Sequence, residues 1–274
     1  MKLVITLVVV AGLLVLFIRL MENKLIFFPF KYPRGYWQPD SLGMQVEECF
    51  FNTADGLRLH GWLLQRNSSV PTLLWCHGNA GNITDRLDNL ARLAKLPLNI
   101  FIFDYRGYGK SEGSPNEAGV YRDAEAAFDY LNSRKDIDAQ KIILFGRSLG
   151  GAVAVDLATK RPCAAVILES TFTSARDMAK AAFGLIPIHL IIKTKFNSLA
   201  KIRNIQVPLL CFHGSRDSTV PFKLGRKLFE AANQPKEFYP IQNADHNDTY
   251  LVGGSAYFEK IQAFIESQFS NDAL

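Results

Sequence analysis

The stretch Gly-Arg-Ser-Leu-Gly at residues 146–150 decides the fold of this chain. It follows residues 141–145, Lys-Ile-Ile-Leu-Phe, a short apolar run of the kind that forms a buried strand. It precedes residues 151–158, Gly-Ala-Val-Ala-Val-Asp-Leu-Ala, which have the composition of a helix. A Gly-x-Ser-x-Gly sequence between a strand and a helix predicts a nucleophile elbow, a sharp turn that presents Ser148 in a strained backbone conformation.

The composition is that of one large α/β domain. The chain has 274 residues, of which 48% are hydrophobic and 21% charged, so it can bury a substantial core. Its net charge of +5 comes from scattered Lys and Arg residues, which argues against nucleic-acid binding. The four cysteines form no Cys-x-x-Cys pair, which argues against a zinc site or a thioredoxin-like motif. We expect buried free thiols at Cys76 and Cys211, with a bridge left open for Cys49 or Cys163.

The N-terminus predicts a single membrane anchor. Residues 3–18 carry no charge and are almost all Leu, Val, Ile or Phe, and Arg19 can snorkel so that the apolar segment extends by two more residues. The alternatives are a cleaved signal peptide, although small residues do not follow the apolar run, and a buried core helix. Basic residues are more numerous after the segment than before it, which favours a catalytic domain on the cytoplasmic side.

We divide the chain accordingly into three parts. Residues 1–24 are the predicted anchor, residues 25–44 a juxtamembrane segment rich in aromatic side chains, and residues 45–274 the catalytic domain. Residues 172–200 are longer than an ordinary crossover between two strands and predict a short lid-like insertion, the alternative being an ordinary packing helix with a loop. The apolar residues of this insertion that we expect to contact substrate are Phe172, Phe183 and Ile186.

Strands and helices alternate along the domain after an antiparallel start. The predicted strands cover residues 46–52, 57–65, 72–76, 100–104, 141–145, 165–168, 208–212 and 236–241. Three predicted helices cover residues 83–94, 222–233 and 256–269. A further helix is predicted to begin after Ser114, with Ser114 as its N-cap, Pro115 at the first position and Glu117 completing a capping box. This order predicts an α/β fold with a mostly parallel eight-stranded sheet covered by helices on both faces.

A serine nucleophile needs a base within hydrogen-bond reach and an acid that orients the base. Only His246 lies on a loop after the last predicted strand, and Asp217 follows the strand before it, so both stand where partners of Ser148 are expected. Glu169, which follows the strand after the elbow, is the rival for the acid. The histidines that we expect to be structural or outside the site are His60, His77, His189 and His213.

Acyl transfer also needs N–H donors for the oxyanion. The backbone N–H of Leu149 supplies one in the predicted elbow. The second is expected from the Gly-rich turn at residues 75–82, with the N–H of Asn79 as the best candidate; the alternative is a tight turn that binds nothing.

Four segments together resemble the α/β-hydrolase superfamily, and within it the membrane-anchored group around α/β-hydrolase domain-containing protein 13. They read HGNAGNI at 77–83, DYRGYGKSEG at 104–113, FGRSLGGAVA at 145–154 and HNDT at 246–249. The resemblance implies the α/β-hydrolase fold, Ser148, Asp217 and His246 as the triad, and a structural loop at 104–113 near the mouth of the site. Tyr250 stands where some relatives carry Trp, which leaves the catalytic residues unaffected.

Members related to this group remove palmitate from proteins, whereas more distant members are lipases, esterases or serine peptidases, so the fold does not name the substrate. We predict a membrane-anchored serine hydrolase that acts on acyl esters or thioesters of a lipid-like or lipidated substrate. Its partners are then the bilayer and that substrate, and it needs no metal or organic cofactor. The alternatives are a serine aminopeptidase-like enzyme and a catalytically silent membrane-bound scaffold.

Overall fold

The computed structural model describes residues 1–269 as a long N-terminal helix followed by a sheet with helices on both faces. The helices are α1 (Lys2–Ile26), α2 (Leu87–Leu93), α3 (Glu117–Ser133), α4 (Leu149–Ala158), α5 (Ala175–Phe183), α6 (Ile188–Ile191), α7 (Ser198–Lys201), α8 (Phe222–Ala231), α9 (Thr249–Val252) and α10 (Gly254–Phe269). The strands are β1 (Phe28–Pro29), β2 (Glu47–Asn52), β3 (Arg58–Leu64), β4 (Thr72–Cys76), β5 (Ala80–Gly81), β6 (Asn99–Asp104), β7 (Ile142–Arg147), β8 (Ala165–Glu169), β9 (Leu209–Gly214) and β10 (Lys236–Ile241).

Eight of the strands form one sheet in the order β10-β9-β8-β7-β4-β6-β3-β2. β3 runs antiparallel to both of its neighbours, β2 and β6, and every other neighbouring pair is parallel. The predicted mostly parallel eight-stranded sheet is therefore confirmed. Two short strands, β1 and β5, form a separate parallel pair that the sequence patterns did not indicate.

The sheet separates two apolar cores. Along β6, Phe101 and Phe103 belong to one core, whereas Ile100 and Ile102 belong to the other, because successive side chains of a strand point to opposite faces. Helices α3, α4 and α8 cover the first core, and α2 and α10 cover the second. A strand with both faces covered is apolar throughout, which is why β4, β6 and β7 are continuous hydrophobic runs in the sequence.

The start of α3 differs from the prediction. Asn116, rather than Ser114, is the N-cap, and its side chain accepts a hydrogen bond from the N–H of Gly119 at 2.9 Å. Glu117 is the first helical residue and does not close a capping box. Its carboxylate instead accepts the N–H groups of Lys195 at 2.6 Å and Phe196 at 2.7 Å, at the end of the insertion. A long-range partner therefore replaces the local one that the sequence pattern predicted.

Helix α1 is the one helix within residues 1–269 that is long and apolar enough to cross a membrane, with a mean hydropathy of 2.9. It extends to Ile26, beyond the predicted anchor boundary at residue 24, and its last turns contact the domain. Glu22 is buried there, and its carboxylate accepts the N–H of Lys193 at 2.9 Å and of Thr194 at 2.6 Å. The end of α1 is thus packed against the domain.

The long connection between β8 and β9 contains three short helices, α5, α6 and α7. Helix α5 begins at a Ser174 cap, whose hydroxyl accepts the N–H of Asp177 at 3.0 Å. Arg19 of α1 donates to the carbonyl of Ile191 in α6 at 3.3 Å. The insertion and the end of α1 therefore contact each other directly on one side of the domain.

Candidate active site

Ser148 occupies the turn between β7 and α4 in a backbone conformation that L-residues rarely adopt, with φ 54° and ψ −120°. Its N–H donates to the carbonyl of Glu169 at 2.9 Å, and its carbonyl accepts the hydroxyl of Thr171 at 2.9 Å. Gly150 has no room for a side chain, since a Cβ there would collide with the Cys76 carbonyl. These contacts hold the turn in its strained shape, as the glycines of the motif predicted.

The side chains of Ser148, His246 and Asp217 form one hydrogen-bonded chain. Ser148 Oγ lies 3.0 Å from Nε2 of His246, and Nδ1 of the same ring lies 2.8 Å from Oδ2 of Asp217. In the neutral imidazole, Nδ1–H donates to the carboxylate and Nε2 accepts the hydroxyl proton. The loops after β9 and β10 carry the aspartate and the histidine to the carboxyl edge of the sheet, where the serine already lies.

Asp217 is buried but remains the charged partner. Burial alone would raise its pKa, yet the hydrogen bond from His246 and the charge of that ring outweigh burial, so the pKa lies below its ordinary value. The N–H groups of Thr219 and Val220 donate to Oδ1 at 3.0 Å and 2.7 Å, and the bond from Val220 lowers the pKa further. His213, with Nε2 3.4 Å from Oδ2, has its pKa lowered by burial, and it donates to the Val220 carbonyl at 2.9 Å.

Glu169, the rival acid, does not bind the ring of His246. Its buried carboxylate accepts hydrogen bonds from Arg147 at 2.9 Å, from Thr249 at 2.5 Å and from the hydroxyl of Tyr257. It therefore belongs to a structural network beside the site, and the acid that the structure pairs with His246 is Asp217.

Arg147 is the functional residue that sequence reasoning missed. It fills the variable position of the Gly-x-Ser-x-Gly motif, and its guanidinium donates to Glu169, to the carbonyl of His246 at 2.6 Å and to Oδ1 of Asn247 at 3.1 Å. The signal was present in the sequence: a charged residue at the end of a buried strand needs a buried counter-ion. Arg147 thus connects the histidine loop to the strand that ends at Ser148.

The two candidate oxyanion donors belong to segments that lie next to Ser148. Leu149 is the first residue of α4, where N–H groups have no acceptor within the helix. The turn before Asn79 runs close to the serine, since a Cβ on Gly78 would lie 3.6 Å from Cβ of Ser148. Tyr108 donates its hydroxyl to the carbonyl of Asn79 at 2.7 Å, and the Asn79 side chain donates to the carbonyl of Ile26. The end of α1 therefore helps to hold this turn.

An apolar cavity of about 480 Å³ opens at Ser148. Its walls come from four parts of the chain: the end of α1, the segment from Gly78 to Arg86, the insertion, and the loops that carry the three candidate catalytic residues. Phe172 and Phe183 line it as predicted, whereas Ile186 does not and is 58% exposed. The members that α1 contributes are Ile18, Glu22, Leu25 and Ile26.

The remaining histidines and the cysteines have no contact with Ser148. Burial lowers the pKa of His77 to about 3, and its Nδ1–H donates to the carbonyl of Gly78 at 2.7 Å. The four cysteines are free, and burial raises the pKa of Cys76 to about 12, which keeps it an unreactive thiol. Within the described residues, no group of three His, Cys, Asp or Glu side chains could hold a metal ion.

Comparison with known proteins identifies the superfamily of the chain. The chain is 35% identical over 258 residues to an uncharacterized protein of Mycobacterium tuberculosis, with 93% of this chain and 91% of that protein covered. It is also 35% identical to the alpha/beta hydrolase domain-containing protein WAV2 of Arabidopsis thaliana, over 94% of this chain and 91% of that protein. The chain belongs to the α/β-hydrolase superfamily. A family described as "Serine aminopeptidase, S33" matches residues 68–201 of this superfamily member.

The fold of this α/β-hydrolase is similar to that of the esterase PF2001 of Pyrococcus furiosus, with a TM-score of 0.71 and 22% identity. The alignment covers 88% of this chain and 98% of the esterase. At that identity the likeness concerns the fold, which agrees with the strand order described above. Together these comparisons show an α/β-hydrolase.

Proposed function

We propose that this protein is a membrane-anchored serine hydrolase that cleaves acyl esters or thioesters with a long acyl chain. The observation that carries the proposal is the hydrogen-bonded chain of Ser148, His246 and Asp217 at the end of an apolar cavity walled by α1 and the insertion. Such a site combines a nucleophile with room for hydrocarbon.

In the proposed reaction, Ser148 Oγ attacks the carbonyl carbon while Nε2 of His246 takes the hydroxyl proton. Asp217 holds the Nδ1–H tautomer and stabilises the imidazolium that forms. The N–H groups of Leu149 and Asn79 stabilise the oxyanion. His246 then gives its proton to the leaving oxygen or sulfur, which leaves an acyl-enzyme, and a water activated by the same histidine releases the carboxylic acid.

The apolar cavity suits the acyl half of the substrate. Each buried CH₂ group contributes about 0.8 kcal/mol of transfer free energy, so a long chain in the cavity supplies much of the binding. Because Ile18 and Leu25 of α1 line the cavity, its wall continues into the segment that we propose to anchor the protein. A substrate that already resides in the membrane, either a lipid or a lipidated protein, therefore has a short path to Ser148.

A serine aminopeptidase, which the family description suggests, needs a free carboxylate for the substrate amine. Of the described residues that line the cavity, Glu22 carries the one carboxylate, and the N–H groups of Lys193 and Thr194 occupy it. The cavity therefore favours an acyl ester over a peptide.

A panel of esters and thioesters from butyryl to palmitoyl tests the proposal, with peptides as the comparison. Ala182 lines the cavity at the end of α5 and is exposed, so Ala182→Trp fills space without disturbing the core. We expect kcat/KM to rise with chain length in the native protein, and Ala182→Trp to lower it about tenfold for palmitoyl substrates alone. Ala181→Trp, one residue away and outside the cavity lining, is the matched control. Hydrolysis confined to short water-soluble esters or to peptides would contradict the proposal.

The anchor is tested on the full chain expressed in membranes. Twenty-five helical residues span about 37 Å, which exceeds the hydrocarbon thickness of about 30 Å. We expect the protein to remain in the membrane pellet after alkaline carbonate extraction and to keep its first 26 residues by mass. Release into the supernatant, or loss of those residues, would indicate a cleaved signal peptide instead.

A further inference from the structure

A second, polar pocket adjoins the apolar cavity. It encloses about 350 Å³ and shares part of its wall with the cavity. The shared residues are Ala80, Arg86, Arg147 and Asn247. The residues that line this pocket but not the cavity include Asn89 and Tyr250. The mechanism proposed above uses the cavity for the acyl chain and leaves this pocket without a role.

Arg86 lies in that shared wall and forms no salt bridge within the described residues. Within residues 1–269 no carboxylate oxygen lies within 4.0 Å of its guanidinium, and its buried Nε has no hydrogen-bond acceptor. One Nη donates to the carbonyl of Ala80. Asp85 lines the same pocket, but its carboxylate accepts the N–H of Asn82 at 2.8 Å. Burial, and then the charge of Arg147, lower the pKa of Arg86, and the charges of Asp85 and Asp104 offset this only in part.

A second polar group of the pocket lacks a partner as well. Asn89 is 4% exposed, and its Oδ1 accepts no hydrogen bond within the described residues. Buried polar atoms are normally paired, so an unpaired donor and an unpaired acceptor in one pocket indicate a ligand that brings both an anion and a hydroxyl. Arg147, by contrast, is fully engaged with Glu169 and the histidine loop.

The position of the pocket agrees with the leaving half of the ester. His246 gives its proton to the leaving oxygen, so the alcohol departs on the histidine side of Ser148. Asn247, the next residue in the chain, lines the polar pocket. The acyl chain and the alcohol would therefore lie in two separate compartments that meet at the scissile bond.

We propose that the polar pocket binds the alcohol half of the substrate and that Arg86 binds a phosphate group on it. This inference rests on the proposed function. A guanidinium donates in a planar fork that matches two phosphate oxygens, and Oδ1 of Asn89 accepts a hydroxyl. The substrate class is then the single-chain acyl glycerophosphate. In the first step, a bond forms between Ser148 Oγ and the acyl carbon, and the bond to the glycerol oxygen breaks. The glycerol oxygen takes the proton from His246. Water then hydrolyses the acyl-enzyme and releases the fatty acid.

The test compares two esters of one acyl chain, a neutral monoacylglycerol and the same chain on glycerol 3-phosphate, with the full-length protein in neutral micelles. We expect kcat/KM to be at least tenfold higher for the phosphate ester. Arg86→Gln should lower the ratio of the two kcat/KM values about tenfold, and Arg86→Lys, which keeps the charge but loses the fork, should give an intermediate ratio. Arg226→Gln, which removes an exposed arginine paired with Glu230 on α8, should leave the ratio unchanged.

Two outcomes would overturn the inference alone: equal hydrolysis of both esters by the native protein, or a ratio that Arg86→Gln does not change. Failure to hydrolyse either ester, together with absence of Ser148 labelling by a fluorophosphonate, would overturn the proposed function itself. Inhibition by soluble anions then shows whether the pocket recognises a glycerophosphate head group or any phosphate ion. Competitive inhibition by glycerol 3-phosphate, at a concentration where inorganic phosphate has no effect, supports the head group; equal inhibition by inorganic phosphate contradicts it.

Discussion

Arg147 shows how a single side chain can join two parts of the candidate catalytic site that lie far apart in sequence. Its guanidinium binds Glu169 on β8 and the backbone carbonyl of His246 on the loop after β10. Glu169 in turn accepts the hydroxyls of Thr249 and Tyr257, so the histidine loop and the helices after it are fastened to the strand that ends at the serine. Arg147 is thus a positioning residue rather than a catalytic one.

Arg147→Lys tests this role. A lysine keeps a positive charge beside Glu169 but cannot donate in the same fork to Glu169, His246 and Asn247. With a neutral ester we expect kcat to fall about tenfold while KM and the fold stay nearly unchanged, because the imidazole loses its alignment and the acyl cavity does not. Steady-state kinetics measures kcat and KM, and near-UV circular dichroism measures whether the fold is unchanged. A rise in KM at constant kcat would assign Arg147 to substrate binding instead.

Asp217→Asn tests the acid. An amide at this position can favour the wrong tautomer of His246, and it removes the charge that stabilises the imidazolium. We expect kcat to fall by about 10³–10⁴-fold, with the melting temperature little changed. Glu169→Gln is the comparison at the rival acid, and it should lower kcat far less. If the two variants exchanged these effects, the pairing of His246 with Asp217 would not be the catalytic one.

At the level of elements, the end of α1 and the insertion form one wall of the cavity. The buried carboxylate of Glu22 accepts N–H groups of Lys193 and Thr194, and the carbonyl of Ile26 accepts the side chain of Asn79. The proposed anchor therefore forms hydrogen bonds with both the insertion and the candidate oxyanion turn. A hydrolase built in this way has a site that is complete only with its N-terminal helix in place.

Glu22→Ala should loosen the insertion. Each buried N–H left without a partner costs about 1–3 kcal/mol, so the segment at 188–196 should exchange its amide hydrogens faster and kcat/KM for long-chain esters should fall several-fold. Hydrogen exchange with mass spectrometry measures the exchange rate of this segment, and steady-state kinetics measures kcat/KM. Lys24→Ala, an exposed change on the same helix, is the control. Unchanged exchange at 188–196 in Glu22→Ala would show that the carboxylate does not hold the insertion.

For the whole molecule, local sequence patterns predicted the strands and the order of the candidate site residues, because burial and tight turns restrict which residues a short segment can contain. A strand buried on both faces is a continuous apolar run, as in β7, and an elbow needs glycines where backbone approaches backbone, as at Gly150. The bond from Asn79 to Ile26 and the bonds from Glu22 to the insertion join distant positions and leave no local pattern. The cap of α3 was predicted wrongly for the same reason, since Glu117 binds the insertion rather than its own helix start.

Acid should destabilise the whole domain through His77. Burial, and then the charge of Arg86, lower the pKa of His77 to about 3, whereas the unfolded chain has an ordinary value of about 6.5. Between these values the unfolded state binds more protons, so stability falls as pH decreases, by about 2 kcal/mol from His77 at pH 5. Denaturant unfolding at pH 7 and pH 5 should show that His77→Asn loses this part of the acid sensitivity. Equal pH dependence in both proteins would contradict the assignment.

The central claim is that Ser148 is the nucleophile, and covalent labelling with a fluorophosphonate tests it most directly. We predict that the native protein takes up one label, that the labelled peptide contains Ser148, and that Ser148→Ala abolishes the reaction while Ser133→Ala, a surface change on α3, does not. Absence of labelling in the folded native protein, or labelling that persists in Ser148→Ala, would contradict the claim.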